Sequence, residues 1–137
     1  MKHHTELSDS NFLLLFENGD LEPALFNHEA HLRLAYLRIK EVGLQEAIIK
    51  VTSQIQNYVT KLGAQSKYNH TLTIAAIKAV NHFIVRSGDA SFTELLEQFP
   101  KLQNDFKGLM ETHYSTDILQ STKAKVSYMK PDLLPFS

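Results

Sequence analysis

Between Leu44 and Leu62 the apolar residues recur every three to four positions. Leu44, Ala47, Ile48, Val51, Ile55, Tyr58, Val59 and Leu62 fall within a stripe of about 120° on a helix turning about 100° per residue. Gln45, Ser53, Gln56 and Lys61 cover the other side, and Gly63 supplies a stop. No catalytic residue types cluster on the polar face, so this helix reads as scaffold. No strand-like alternation, internal repeat, heptad array or low-complexity tract occurs anywhere in the chain. The pattern predicts an all-α protein: a compact single-domain helical bundle with three longer helices, a short N-terminal helix, short C-terminal helices and an extended tail.

The other helices are placed by their caps. Ser8 or Ser10 starts a short helix over 8–18 that Gly19 ends, and Gly19-Asp20 with Pro23 forms a connector. Asn27 caps a second helix over 28–42, with Glu29 in its first turn, Phe26 placed as half of a hydrophobic staple and Gly43 as its stop. Asn69 caps the helix running to Arg86, whose wide apolar arc suits several packing neighbours. Ser91-Phe92-Thr93-Glu94 matches a capping box for a helix reaching Phe99. Residues 101–108 read as a helical turn or loop, Ser115 as the cap of a short helix over 116–120, and 121–128 as another turn. Residues 1–7 should fray, so His3 and His4 would bind metal only adventitiously. Residues 129–137 form a tail apolar enough to dock on the body.

Length and composition narrow the function classes. A chain of 137 residues suits one domain, and its 43% apolar and 21% charged residues are those of an ordinary globular protein. The net charge of −1, with basic residues scattered among acidic ones, gives no electrostatic footprint for nucleic acid. Without cysteine there is no disulfide, no thiolate nucleophile and no sulfur-ligated zinc. The run Phe12–Phe16 is too short for a signal peptide, and no stretch has the length of a membrane span. A cytoplasmic protein is the expectation, and self-association as a homodimer is compatible with it.

The histidines carry the functional reading. His28 and His31 lie about 60° apart on the second helix, and both are predicted to project from its apolar face with Leu32, Ala35 and Ile39, while Arg33 and Lys40 point elsewhere. Buried imidazoles need partners for two nitrogens each, so two in one stripe suggest a built site. The spacing His-Glu-Ala-His falls one residue short of the zincin motif, so Glu29 does not inherit a general-base role. His70 occupies the first turn of a later helix, with Thr71 and Thr73 beside it, and His113-Tyr114-Ser115 lies near the C-terminus. His82, about 120° from His70 among Lys78 and Arg86, reads as solvated.

Four pieces together resemble a family of small uncharacterised bacterial all-α proteins: Phe26-Asn27-His28-Glu29-Ala30-His31-Leu32, Tyr68-Asn69-His70-Thr71-Leu72-Thr73, His113-Tyr114-Ser115 and Pro131-Asp132-Leu133-Leu134-Pro135. The likeness spans roughly residues 10–135. It implies that His28, His31, His70, Thr71 and His113 are shared polar positions, and it implies no reaction.

Three readings of these residues stay open. Convergence of His28, His31, His70 and His113 would give a nitrogen-ligated metal site, for zinc or another transition metal. A metal-free pocket would use the histidines with Thr71, Thr73, Tyr68, Tyr36 and Tyr114 to orient a small polar molecule, the helix starts favouring an anionic group. In the third reading the histidines form only a packing hydrogen-bond network, in a structural or interaction module. No Gly-rich phosphate loop, nucleophile elbow or adjacent His-Asp pair is present, and no general base stands out, so whether the protein is an enzyme is left open.

Overall fold

A computed structural model describes residues 2–136. The described residues are helical or irregular and form no strand, as the all-α pattern predicts. Eight α-helices occur among them in order: α1 Asp9–Glu17, α2 His28–Val42, α3 Leu44–Lys61, α4 His70–Ser87, α5 Phe92–Gln98, α6 Lys101–Asn104, α7 Phe106–His113 and α8 Thr122–Val126. The chain gathers into two compact units, one ending at Tyr68 and one beginning at Asn69.

In the first unit α2 and α3 form a hairpin whose only corner residue is Gly43, at φ 83°. Its N–H closes α2 on Ile39 O, and its own carbonyl accepts from Ala47 N to open α3. A residue with a Cβ would strain this left-handed turn. The amphipathic stripe of α3 buries Ala47, Val51, Ile55 and Tyr58, as its period predicts. Phe16, Phe26 and Tyr58 pack with ring centroids 4.5–5.3 Å apart, and the Tyr58 hydroxyl donates to Leu21 O at 2.8 Å.

The faces of α2 differ from the sequence expectation. Leu32, Ala35 and Ile39 are buried, but so are Arg33 and Arg38, while His28 and His31 are exposed. Periodicity treats arginine as a surface residue, yet a guanidinium is readily buried where its fork finds acceptors. Arg33 finds them in the segment before α1, and Arg38 finds Glu41, Gln54 and, at 3.9 Å, Glu17. The helix is therefore covered on more sides than its apolar stripe alone requires.

Of residues 1–7, expected to fray, Met1 lies outside the described residues and 3–7 are folded. Residues His4–Glu6 make a 3₁₀ turn, and His4 is completely buried. Ser8 then caps α1 by accepting from Asn11 N at 3.2 Å.

In the second unit Asn69 caps α4 by accepting from Leu72 N at 2.9 Å, and its amide donates to Ile118 O at 2.8 Å. The capping box at Ser91 and Glu94 forms as its sequence predicts. Two local expectations need correction. Residues 101–108 are not one turn but a short helix and the start of another, because Asp105 breaks the chain and caps α7 through Gly108 N. Residues 116–120 form no helix: Ser115 donates both its hydroxyl and its N–H to Asp132, seventeen residues away, and this partner, rather than a following N–H, sets its side chain. Asp117 closes that stretch as a turn instead, and Ser121 starts α8.

The tail is docked. Phe136 is buried and stacks on His113 with centroids 4.1 Å apart, and Leu133 N donates to His113 O.

Candidate functional site

In the first unit, Asn27 Oδ1 accepts from Ala30 N at 2.9 Å and fixes the start of α2, with His28 in its first turn and His31 one turn on. Phe26 precedes the cap and His31 is four positions beyond it, the two places joined by a hydrophobic staple. The staple forms, with the imidazole as its second half: the rings stack at 3.9 Å, 23° from parallel.

Water reaches His31, but protein around the ring desolvates it, and His28 adds a smaller like-charge effect. Together they lower the pKa of the imidazole to about 4. The two facts are compatible when one ring face lies on Phe26 and an edge meets solvent. At neutral pH His31 is then an uncharged, accessible imidazole with a lone pair to offer. His28 is exposed too and makes contacts of its own.

The same turn of α2 carries Glu29, which faces the opposite partner set. Its carboxylate lies 2.7 Å from His4 Nε2 and 3.5 Å from His3 Nε2. These three groups are the one cluster of metal-ligating types among the described residues, with donor atoms within 4.8 Å of one another. Geometry argues against a metal there. Arg33 Nη1 sits 3.2 Å from His4 Nδ1. A guanidinium only donates, so Nδ1 carries the lone pair and Nε2 carries the proton given to Glu29. A metal on Nε2 would displace that proton to Nδ1, against Arg33. His3 accepts from Thr5 N at its own Nδ1, which likewise puts its proton on Nε2. The two rings also stack, 4.5 Å apart and 30° from parallel, and both Nε2 atoms face the same Glu29 oxygen.

The cluster is instead a clamp. Arg33 donates to His4 O at 2.8 Å, Leu7 O at 2.9 Å and Asp9 Oδ1 at 2.8 Å, and its guanidinium lies 4.6 Å from the Phe12 ring centre. Burial, outweighing the opposing bond to Glu29, lowers the pKa of His4. Sequence reasoning missed both His4 and Arg33. The available signal was Arg33 itself, set between Leu32 and Leu34-Ala35 in a helix rich in core residues.

In the second unit the sequence-predicted positions are bonded largely to the chain's own backbone. Thr71 is buried; its hydroxyl donates to Ser127 O at 2.9 Å and accepts from Met129 N at 3.0 Å. Thr73 donates back to Asn69 O at 2.7 Å. Tyr114 donates to Met129 O at 2.8 Å, and burial with the neighbouring Tyr128 raises its pKa, keeping it a donor. His113 Nδ1–H donates to Leu134 O at 2.7 Å. His70 is half-buried at the start of α4 and has partners. His82, read from sequence as solvated, is half-buried and donates its Nδ1–H to Phe136 O at 2.6 Å. The tail turns back over that face of α4, which periodicity could not reveal. Ser115 bonds directly to Asp132 while His113 bonds to Leu134, so these residues do not make a Ser–His–Asp relay.

Each unit thus brings together part of the predicted set: His28 with His31 in the first, and Thr71, His113 and Tyr114 around the tail in the second. Among the described residues no helix is long and apolar enough to cross a membrane. Compared with protein-family models, curated proteins and solved structures, the chain matches none.

Proposed function

We propose that this protein is a small helical ligand-binding protein whose binding end is the start of α2. His28 and His31 would take a transition-metal ion such as zinc, or a small polar molecule that accepts or donates a hydrogen bond at an imidazole. The observation that carries this reading is the state of His31: accessible to solvent, stacked on Phe26, and held uncharged far below the ordinary histidine range. Titratable groups strongly perturbed by desolvation beside a second ionisable group cluster at functional sites. A neutral imidazole is also the form a metal requires, so protons compete weakly at this ring. One turn of helix separates the two histidines, which allows both to reach one ion with water completing its coordination.

The test is a calorimetric titration of the tag-free protein with Zn²⁺ and, separately, Ni²⁺ near neutral pH. The reading expects one equivalent bound, with binding lost in both His28→Ala and His31→Ala. Binding that survives both substitutions would place the ion elsewhere. If neither ion binds, the metal half of the proposal fails, and imidazole shifts with small carboxylates and phosphate test the polar-ligand half.

A second reading has its own support. Thr71, His82, His113 and Tyr114 each hold a backbone group of the C-terminal segment, and His4 bonds the N-terminal one to Glu29. These residues favour a packing network in a structural or interaction module. Under that reading His31 serves only as the staple, and His31→Phe is without effect on any binding property.

A further inference from the structure

We propose that residues 2–7 form an acid-released latch, in which His4 holds the segment on α2 only while its Nδ1 remains unprotonated. The latch is independent of ligand binding at His28 and His31. Both nitrogens of the fully buried His4 ring are occupied. Nε2–H already donates to Glu29 at 2.7 Å, so the only place for a second proton is Nδ1. That atom faces Arg33 Nη1 at 3.2 Å, and Arg33 has no acceptor to offer in return.

Protonation would therefore set two N–H groups and two positive charges against each other in a site without water access. Arg33 is tied to α1 by Asp9 and Phe12, contacts that release of the segment does not break. Its bonds to His4 O and Leu7 O are made to the segment itself, whose carbonyls are solvated again once it lifts. The segment is therefore the part that moves.

The charged groups around His4 act in both directions. Glu29 on α2 favours the protonated ring. Arg33 on α2 opposes it, partly offset by Asp9 on α1, and the stacked His3 opposes it when charged itself. Phe12 on α1 presents only an apolar ring, 5.8 Å from that of His4. On the segment itself, Glu6 accepts from Lys2 N. Burial is the largest influence, and its sign fixes the outcome: His4 binds a proton less readily docked than undocked. Docking is thus full above the ordinary histidine range and weakens as pH falls through it, by up to about tenfold per pH unit. Release uncovers Phe12 and Arg33 and returns Glu29 to water on the turn that carries His28 and His31.

Hydrogen exchange of the whole chain tests this. The Glu6 and Leu7 amides bond to His3 O and His4 O and report the latch, while α3 amides report global folding. Between about pH 7.5 and pH 5 the protection factors of Glu6 and Leu7 should fall about tenfold or more with α3 unchanged. In His4→Gln, whose amide can both donate to Glu29 and accept from Arg33 without titrating, they should stay level. Protection that is level in the wild type, or falls equally in His4→Gln, overturns the proposal. Should His4→Gln fail to fold, the ¹⁵N shifts of the wild-type ring decide: Nε2–H with a bare Nδ1 at neutral pH is required, and the opposite tautomer refutes the latch.

Discussion

Replacing Arg33 by methionine removes the guanidinium while keeping a stem that packs over Phe12. Four polar contacts go: two backbone carbonyls of residues 4 and 7, the His4 ring nitrogen and Asp9. The Asp9 contact counts for little, because that carboxylate is 68% exposed and rehydrates; surface pairs are worth about 0.5 kcal/mol. The buried carbonyls matter more, since a hydrogen bond to a charged donor contributes about 1.5–3 kcal/mol and its loss leaves an acceptor without water. Their sum is limited by the segment's own docking, for once residues 2–7 lift away the carbonyls are solvated again. Arg33→Met should therefore lower stability by about 2–4 kcal/mol, below the upper range for breaking a fully buried pair. Asp9→Asn should cost about 0.5 kcal/mol or less. Arg33→Lys should fall between, since one ammonium cannot span the fork's acceptors. Urea denaturation monitored by circular dichroism gives all three values. An Arg33→Met stability within about 0.5 kcal/mol of wild type would refute the clamp, because surface substitutions produce changes of that size.

Three further outcomes rest on the same kinds of contact. Thr71→Val leaves Ser127 O and Met129 N without their shared hydroxyl and should cost about 2 kcal/mol in urea, with exchange at Met129 N rising first. Asn69→Ala removes both the cap on Leu72 N and the bond to Ile118 O, and should cost about 1–2 kcal/mol in the same denaturation assay. His31 resists protonation in the folded state, so its contribution is full above the unfolded value of 6.5 and is lost as pH falls toward about 4. Because the ring is exposed, that loss is discounted to about 1 kcal/mol, and His31→Phe, which keeps the stack, should remove it from a pH series of melts.

Much of the fold was legible because caps are local. Asn27, Asn69, Ser8 and Ser91 each satisfy an N–H three residues away, and each helix starts where its cap predicts. Ser115 shows where that logic stops: its hydroxyl donates to Asp132, a partner that only the folded chain supplies. The staple at Phe26 was legible for the same local reason, although its partner proved to be His31. The orientation of α2 was not. It depends on two arginines whose acceptors lie largely in other segments, and no hydropathy pattern marks an arginine as buried. Once Arg33 turns inward, the first turn rotates with it, and the two histidines assigned to the core meet solvent. The start of α2 was thus one part of an expected site that also drew on His70 and His113, and the surroundings of its two histidines were misjudged.

A binding site at the start of α2 requires His31 to be uncharged though accessible. A pH titration of the histidine ring resonances in the intact protein measures this directly. The His31 midpoint should lie at about 4, well apart from an ordinary imidazole. A midpoint near the ordinary value of about 6.5 would make His31 a solvated surface ring, and the proposed site would lose its basis.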